Sequence, residues 1–458
     1  MTKRILILGG YGNTGLPIAK GLLAETDVSL VLAGRSLDKA TAQAAAFNLQ
    51  FGGERVSALR VDAADPASLR SAFAGVDFVV IASSTAQYVE TVARAAIEAR
   101  IDYLDVQVSS AKLETLQALQ GEIEHAGLCF ITDGGFHPGL PAALVRYAAG
   151  RFDRLDKANV GSVIKIDWNA LDLSPATVEE LTGELLDFRM ESYRNGQWEK
   201  KWSGYQHFDF GPPFGQQPCA PMMLEEMRSL PDTVPSLRET GFFVGGFNWF
   251  ADWVAMPLGM AALKVAPKQA AESAGRLMEW SLKTFSRPPY GTVLQLEASG
   301  LQQGQPATLR IRLSHADGYV LTAVPVVACL LQYLDGSCRR PGLWCQANIV
   351  DPERLLRDIE RLGVAVQIDV QPKQTEPSTQ GNNAMTPKHK WNELTPIQQA
   401  TIAGVGLFQV LLLIAALVDL RRRPAAQING SKKLWTLAAF INFVGPISYF
   451  LFGRKRSK

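Results

Sequence analysis

The sequence is poor in the residues that most often build metal and disulfide sites. Its 458 residues include only five cysteines and five histidines. The cysteines are scattered without a Cys-x-x-Cys pair, and neither residue type shows the spacing of a metal site. We therefore expect reduced, structural thiols, a reducing compartment and no bound metal. Because the first strand-like run starts within four residues of the N-terminus, we also expect no cleavable signal peptide.

The chain also lacks an excess of charge of either sign. Lysine and arginine together number 46 and aspartate and glutamate 44, so the formal net charge is +2. Such a balance creates no global field that would attract a polyanion, and we expect no nucleic acid partner. The length leaves room for two or three domains with a large buried core.

What the chain does contain is a glycine-rich turn directly after its first apolar run. Residues 5–8 are Ile-Leu-Ile-Leu, and a helical pattern begins straight after the turn. A strand that turns tightly into a helix presents free N–H groups and the positive end of the helix dipole to a phosphate. The predicted pyrophosphate cradle consists of Gly9, Gly10, Tyr11, Gly12, Asn13, Thr14 and Gly15.

The end of the second apolar run predicts which dinucleotide binds. Gly34, Arg35 and Ser36 follow this run, about twenty residues after the glycines. An acidic residue here would accept a hydrogen bond from the ribose 2′-hydroxyl of NAD, whereas a guanidinium and a hydroxyl suit the 2′-phosphate of NADP. We therefore predict NADP as the cofactor, with Arg35 as the selector and Ser36 and Lys39 as helpers. The alternative is that Arg35 is a solvated surface arginine.

Residues 1–144 alternate between strand-like and helix-like stretches. This order indicates a doubly wound parallel sheet covered by helices on both faces. Ligands bind such a sheet beyond the carboxyl ends of its strands. Asp62 ends the third predicted strand and should lie near the adenine, whereas Ala82, Ser83 and Ser84 end the fourth and should border the nicotinamide.

Several stretches resemble the saccharopine dehydrogenase family in its broad NADP-binding sense. They are residues 9–15, 32–35, 103–105, 133–141, 318–323 and 340–343. The resemblance covers about residues 1–370. Family members typically carry a Gly-x-Asp-Pro-Gly run that opens a helix, and this chain has His137 where that aspartate is usual.

The resemblance implies an α/β protein with a Rossmann NADP-binding domain over residues 1–144. A second, α+β domain with a mixed sheet would follow over residues 145–318 and serve substrate binding and dimerisation, so a homodimer is expected. Residues 319–370 would return to pack on the first domain. The activity implied is that of an NADP-dependent oxidoreductase.

Within the second domain, alternating hydrophobicity predicts strands over residues 160–168, 293–299 and 308–315, the last two paired. A helix is predicted over residues 178–188.

An aromatic-rich stretch, residues 241–263, carries Asp252 as its only charge. Glycines, Asn248 and Pro257 also interrupt it, which argues against a membrane span. We expect this stretch to be buried or to line the pocket, with membrane contact as the alternative.

The C-terminal part differs in kind. Residues 371–390 are polar and lack periodicity, which predicts a linker. Within residues 391–458, two apolar runs cover residues 402–418 and 434–452, each flanked by arginine or lysine. Neither run shows the polar face of a soluble helix. We therefore predict a transmembrane hairpin with helices at about 398–418 and 434–452.

This tail resembles the two-helix membrane module that precedes bacterial cardiolipin synthases of the phospholipase D type. The matching stretches are residues 417–420, 422–424, 433–435 and 445–454. The chain has no HxK(x)nD nuclease signature, so the resemblance implies anchoring rather than phosphodiester chemistry. Because NADPH is cytosolic, we predict a two-span protein of a bacterial-type inner membrane whose catalytic part faces the cytoplasm.

The catalytic candidates are His137, Asp105 and Tyr103, with Ser84 and Asp133 nearby. His137 stands before Pro-Gly at a helix entrance and could donate a proton to a carbonyl or imine. Alternatively, His137 is satisfied by a loop carbonyl and Asp105 caps a turn.

The sequence thus predicts a membrane-anchored NADP(H)-dependent oxidoreductase. Its substrate would be a small or lipid-like carbonyl, imine or enoyl compound. Two alternatives stay open. One is a saccharopine-type amino-acid dehydrogenase, which forms or splits a secondary amine, and the other is a non-catalytic NADP(H)-sensing membrane protein.

Overall fold

The computed structural model describes residues 2–170, 189–200, 204–245, 247–265, 267–372, 396–439 and 444–455. The described residues build two β-sheets, with helices packed on them. The helix predicted over residues 178–188 lies outside the described residues. So does the predicted linker, except for its first two residues.

The first sheet consists of seven parallel strands. They are β1 Arg4–Leu8, β2 Ser29–Gly34, β3 Val56–Arg60, β4 Phe78–Ile81, β5 Asp102–Asp105, β6 Cys129–Thr132 and, late in the chain, β15 Gly342–Cys345. Their order is β15-β6-β5-β4-β1-β2-β3, so the direction of winding reverses between β1 and β4. The predicted Rossmann-type parallel sheet is confirmed.

Helices cover both faces of this sheet. They are α1 Gly15–Glu25, α2 Leu37–Phe51, α3 Pro66–Phe73, α4 Val89–Ala99, α5 Ser110–Ala118 and α6 Gln120–His125. Ile5 and Ile7 of β1 pack into the core shared with α1 and α2, whereas Leu6 and Leu8 pack into the core shared with α3 and α4. Burial on both sides explains why β1 is an unbroken apolar run rather than an alternating one.

The second sheet is mixed and has nine strands. They are β7 Arg154–Lys165, β8 Glu191–Arg194, β9 Gln197–Lys200, β10 Gln206–Asp209, β11 Gln216–Met222, β12 Glu239–Gly245, β13 Gly291–Gln302, β14 Gln305–His315 and β16 Ala365–Pro372. The main path is β10-β11-β12-β7-β13-β14-β16, in which β12 and β7 are parallel and the other pairs antiparallel. β7, β13 and β14 lie where strands were predicted, and β13 pairs with β14 as expected.

The two sheets are connected through α7 Pro141–Ala149 and again by the segment after β14. That segment contains three helices: α11 Gly318–Leu334, α12 Gln346–Ile349 and α13 Pro352–Arg361. Three other helices lie earlier in the chain, before β13: α8 Leu230–Thr233, α9 Met256–Val265 and α10 Pro267–Phe285. The segment after β14 supplies β15 to the first sheet and β16 to the second. The buried Asp102 carboxylate accepts hydrogen bonds from Tyr333 Oη at 2.6 Å and Arg339 Nε at 2.8 Å, so this segment is tied to β5 by charge as well as by packing.

The aromatic stretch is only partly buried. Phe242 and Phe243 of β12 lie in the core, but Trp249 is 62% exposed and Trp253 is 53% exposed. The π-helical turn Ala251–Ala255 buries its two alanines, whereas the indole of Trp253 in the turn and that of Trp249 before it are exposed to solvent. The prediction that the stretch is buried is therefore wrong for Trp249 and Trp253, and the alternative that they line a pocket stays a prediction.

The C-terminal tail contains α14 Pro396–Arg422, α15 Lys432–Ala438 and α16 Val444–Ser448. Among the described residues, no helix has both the length and the apolar character needed to cross a membrane. The second predicted span, residues 434–452, appears as two short helices and a π-helical turn. A Cβ on Gly445 would lie 1.8 Å from the carbonyl oxygen of Ala438, so this glycine lets the chain fold back closely. The predicted transmembrane hairpin is not supported.

Candidate functional site

The glycine turn forms a tight cradle between β1 and α1. Gly9 has φ +87°, and Gly12 N donates to Gly9 O at 2.9 Å. A Cβ on Gly15 would lie only 2.1 Å from Gly9 O, so no larger residue fits there without moving the backbone. Among the described residues, no side chain caps the start of α1 at Thr14. In the first turn of α1, Leu16 N donates to Gly12 O at 3.0 Å and Pro17 has no N–H, so an anion would be held by the backbone of the Gly9–Gly15 turn and the positive end of the α1 dipole. The cradle fits a dinucleotide pyrophosphate in this way.

The loop after β2 is held against this cradle by Tyr11. Ser36 N donates to Tyr11 Oη at 2.9 Å, and Gly34 leaves room for the phenol ring. Ser36 Oγ in turn accepts from Lys39 N at 3.4 Å and caps α2. Arg35 lies between these anchored residues with its side chain exposed, as a selector for a 2′-phosphate requires.

The other predicted cofactor residues lie at the same edge of the sheet. A Cβ on Gly9 would meet Ala82 O at 2.6 Å, so the cradle and the end of β4 are in direct contact. Gln107 Nε2 donates to Ser83 O at 2.6 Å, which holds this strand end in place. Asp62 is exposed beyond β3, and Ser84 is exposed beyond β4.

A buried lysine lies beside the end of β5. The side chain of Lys112, in the first turn of α5, is fully buried, and its Nζ donates to Asp105 Oδ1, Thr132 Oγ1 and Asp133 Oδ1, each at 2.7 Å. It also donates to Gln107 O at 2.6 Å. Burial alone would lower the pKa of Lys112, but the two carboxylates outweigh it and raise this pKa, so the ammonium stays charged.

Asp133 connects this network to the solvent. It directly follows β6 with φ +56°, a left-handed conformation that aspartate tolerates better than most residues. Burial raises the pKa of Asp133, and the ammonium of Lys112 offsets part of that rise. Asp133 Oδ1 is bound by Lys112, while the contact recorded for Oδ2 is the thiol of Cys345 at 4.0 Å. A thiol is a weak donor, so Oδ2 is the oxygen left for a ligand.

A pocket opens over Asp133 between the two sheets. It encloses about 560 Å³ of space that is open to solvent. The first domain contributes Val108, Ser109, Ser110, Leu113, Asp133 and Pro138, and the second contributes Arg189, Met222, Met223, Leu224 and Glu225. The pocket lies beyond β5 and β6, on the side of β4 away from the glycine cradle. Ligands of doubly wound sheets bind beyond the carboxyl ends of the strands, so this pocket is the candidate substrate site.

Glu225 and Arg189 form the charged wall of this pocket from the second domain. Arg189 Nη2 lies 3.5 Å from Glu225 Oε2, and Arg228 also donates to Glu225. Arg189 is exposed, so its guanidinium is available to a ligand.

The structure brings the side chains of Tyr103 and Asp105 together in the core, but neither residue lines the pocket. Tyr103 is buried in the core and stacks on Phe130 at 4.9 Å, so its hydroxyl cannot reach a ligand. Asp105 is buried and bound by Lys112 and Thr132, which excludes direct substrate contact.

His137 also lies apart from the pocket. Its ring packs against Phe136 and Phe242, and among the described residues nothing hydrogen-bonds its buried Nε2. Burial lowers the pKa of His137 to about 4, so the imidazole is neutral at physiological pH. The neighbouring Pro138, rather than His137, lines the pocket. These positions do not suit a proton donor to the substrate.

Sequence reasoning missed Lys112, Glu225 and Glu226. Lys112 looks in the sequence like a solvated helix lysine, and no local pattern distinguishes it. Glu226 is buried and accepts hydrogen bonds from Gly139 N at 2.6 Å and Ala142 N at 3.1 Å at the start of α7. Burial raises its pKa to about 8.

Comparisons with known proteins agree with this geometry. Residues 5–131 match the family model of the saccharopine dehydrogenase NADP binding domain, and residues 411–454 match that of the phospholipase D-nuclease N-terminal segment. The chain is 23% identical over 412 residues to the carboxynorspermidine synthase of Vibrio cholerae, covering 80% of this chain and 97% of that protein.

A second curated protein is similar in sequence, and one solved structure is similar in fold. A carboxyaminopropylagmatine dehydrogenase of Synechocystis is 24% identical over 256 residues, covering 53% of this chain and 62% of that protein. The apo saccharopine dehydrogenase (L-Glu forming) of Saccharomyces cerevisiae shares the fold with a TM-score of 0.58 at 15% identity, covering 81% of this chain and 100% of that one. The chain is thus an oxidoreductase that uses NADP, and the cofactor predicted from the glycine turn and Arg35 is confirmed.

Proposed function

We propose that this oxidoreductase reduces the imine formed between a carbonyl compound and a primary amine, with NADPH as the hydride donor. The observation that carries the proposal is that Asp133 and Arg189 line one pocket beyond β5 and β6, at the carboxyl edge of the sheet that also carries the nucleotide cradle. A carboxylate suits an ammonium group and a guanidinium suits a carboxylate. The pocket therefore fits substrates that carry an amine and a carboxylate.

The names of the relatives support the same chemistry. A carboxynorspermidine, a carboxyaminopropylagmatine and a saccharopine are each secondary amines with at least one carboxylate. Of the alternatives that the sequence left open, they favour the secondary-amine dehydrogenase over a reductase of lipid-like substrates and over a non-catalytic sensor.

The reaction balances without a metal or a covalent enzyme intermediate. A primary amine adds to the aldehyde or ketone carbon, water leaves, and a protonated imine remains. NADPH supplies the hydride to the imine carbon when it is bound in the cradle. The residues of the chain orient the two partners and move one proton, which is the part of catalysis that a preorganised pocket provides.

NADPH oxidation by the purified full chain tests the proposal. We expect oxidation only when a diamine and an aldehyde derived from an amino acid are both present. Asp133→Asn should reduce kcat/KM for the amine by about 100-fold or more, as expected for the loss of an acid–base group. The variant Asp232→Asn in α8, at an exposed residue that does not line the pocket, is the matched control and should keep its activity. Oxidation by the aldehyde alone, unchanged by the amine, would refute the proposal.

We also propose that the tail binds a lipid surface, which would place the enzyme at a membrane. Four side chains on one side of α14 are about half exposed: Val410, Leu411, Ile414 and Val418. Leu434 and Leu437 of α15 are even more exposed, and basic residues stand between the helices. Apolar side chains flanked by cations suit the boundary of an anionic bilayer.

Sedimentation with vesicles tests this second proposal. The full chain should sediment with vesicles that contain anionic lipid, and Ile414→Glu together with Leu437→Glu should release it. Removal of residues 391–458 should do the same without loss of NADPH binding. If these variants sediment like the wild type, the tail does not bind the lipid. The homodimer and the cytoplasmic orientation stay predictions.

A further inference from the structure

A fully buried lysine next to the substrate pocket needs an explanation. Burying an ammonium and two carboxylates costs free energy that a hydrophobic cluster of the same size would not. Lys112 does not reach the pocket surface, because its side chain is 0% exposed and it is absent from the pocket lining. Lys112 can therefore affect a substrate only through a neighbouring residue that lines the pocket. Of its two carboxylate partners, only Asp133 lines the pocket.

We propose that Lys112 is a positioning residue that binds Asp133 Oδ1 and leaves Oδ2 facing the substrate, where Asp133 exchanges a proton with the reacting amine. This inference rests on the proposed imine reduction and adds to it the group that handles the proton.

The geometry allows little freedom to Asp133. Lys112 binds Oδ1 at 2.7 Å, and Gly134 N donates to Asp105 O at 2.8 Å, which holds the backbone directly after Asp133. Lys112 is itself held by Asp105 and Thr132, and Thr132 Oγ1 donates to Asp105 Oδ2 at 2.8 Å. Each member of the network thus has a partner, and Asp133 Oδ2 is the carboxylate oxygen held least, by the weak thiol donor of Cys345 at 4.0 Å.

The proton steps balance at this oxygen. A substrate ammonium transfers one proton to Asp133 Oδ2, and the free amine then attacks the carbonyl carbon. In the carbinolamine that results, the carboxyl of Asp133 returns the proton to the hydroxyl group, which leaves as water. The products are a protonated imine and an ionised Asp133, ready for hydride transfer. Asp133 must start ionised for this sequence, and the adjacent ammonium of Lys112 favours that form.

The first test is the pH dependence of turnover in variants of Lys112. Lys112→Met leaves two buried carboxylates without a cation, which threatens the fold, so Lys112→Met/Asp105→Asn is the second variant because it removes one charge of each sign. In Lys112→Met we expect the acid limb of the pH profile of kcat/KM to move to higher pH by about one unit or more. In the double variant the shift should have the same direction but be smaller, because Asp105, whose charge raises the pKa of Asp133, is removed as well. Lys112→Arg keeps the positive charge, so its pH profile should be shifted less than that of Lys112→Met. Lys283→Met, at a partly exposed lysine paired with Glu279, is the control and should leave the profile unchanged.

The second test needs no turnover. The titration of Asp133, followed by carboxyl-labelled NMR in the NADPH complex, should move to higher pH in the double variant, while the Kd for NADPH changes less than about twofold. A folded double variant in which Asp133 titrates as in the wild type would overturn the inference. If the wild type turns over no amine and carbonyl pair but the Asp133 titration shifts as expected, the proposed function fails and the positioning role stands.

Discussion

Tyr11 and Ser36 join the two parts of the nucleotide cradle: the backbone N–H of Ser36 donates to Tyr11 Oη at 2.9 Å. Tyr11 belongs to the turn that fits the pyrophosphate, and Ser36 follows Arg35, the predicted selector for NADP. The phenol ring also lies against Gly34, where a Cβ would come within 2.5 Å of its oxygen. The phosphate turn and the ribose loop are therefore held as one unit.

Tyr11→Phe should weaken NADPH binding without unfolding the protein. It removes the acceptor for Ser36 N, and the loss of one hydrogen bond costs about 1 kcal/mol, or about fivefold in Kd. Fluorescence titration with NADPH measures the effect. Tyr290→Phe, an exposed tyrosine outside the cradle, serves as the control. An unchanged Kd in Tyr11→Phe would mean that the loop needs no such anchor.

Arg35→Ala should remove the preference for NADPH over NADH. A charge-assisted contact to the 2′-phosphate contributes about 1.5 to 3 kcal/mol, so the Kd for NADPH should rise by about tenfold or more. The Kd for NADH should stay the same, because NADH has no phosphate there. Calorimetry with both nucleotides gives the two values. Arg70→Ala, which loses only an exposed ion pair with Glu98, should change neither of them.

Gly15→Ala should abolish nucleotide binding at concentrations that saturate the wild type. The added methyl group would lie 2.1 Å from Gly9 O and 2.9 Å from Gly10 Cα, so the turn has to open. Gly121→Ala is the matched control, since nothing lies within 4 Å of the Cβ it adds. Equal NADPH affinity in the two variants would contradict the cradle as the binding site.

Glu226 should make the stability of the protein depend on pH. Burial raises the pKa of Glu226 from 4.5 to about 8, so between these values the folded state holds a proton that the unfolded state has lost. The free energy of unfolding should therefore fall as the pH rises through this window, by up to about 1.4 kcal/mol per pH unit. In Glu226→Gln this dependence should flatten.

Denaturant unfolding at several pH values compares the two proteins. Glu360→Gln, at an exposed residue of α13, controls for the loss of a charge. If Glu226→Gln and the wild type show parallel stability curves, Glu226 does not carry a raised pKa.

The sequence could predict the nucleotide half of the site because its determinants are local. The Gly9–Gly15 turn, the apolar runs and Arg35 lie within one short stretch, where spacing alone decides the geometry. The substrate half could not be predicted in this way. Lys112 meets Asp105 and Asp133 only because β5, β6 and α5 pack together, and Arg189 and Glu225 arrive from the other sheet.

The errors in the prediction have a physical reason as well. Tyr103 and Asp105 end a strand at the ligand edge, but a strand end also includes residues that point into the core. The apolar character of residues 434–452 predicted one continuous helix. Hydropathy carries no information on backbone packing, such as the close approach of Gly445 to the carbonyl oxygen of Ala438. Hydropathy also led to the prediction that Trp249 is buried, although exposed apolar side chains are common on protein surfaces.

Deuterium transfer tests the central claim most directly. The full chain would be incubated with NADPH deuterated at the transferring position of C4, a diamine and an amino-acid-derived aldehyde, and the products analysed by mass spectrometry. We predict one deuterium on the carbon of the new C–N bond, in a secondary amine that forms only when both substrates are present. Deuterium in an alcohol derived from the aldehyde alone would contradict imine reduction.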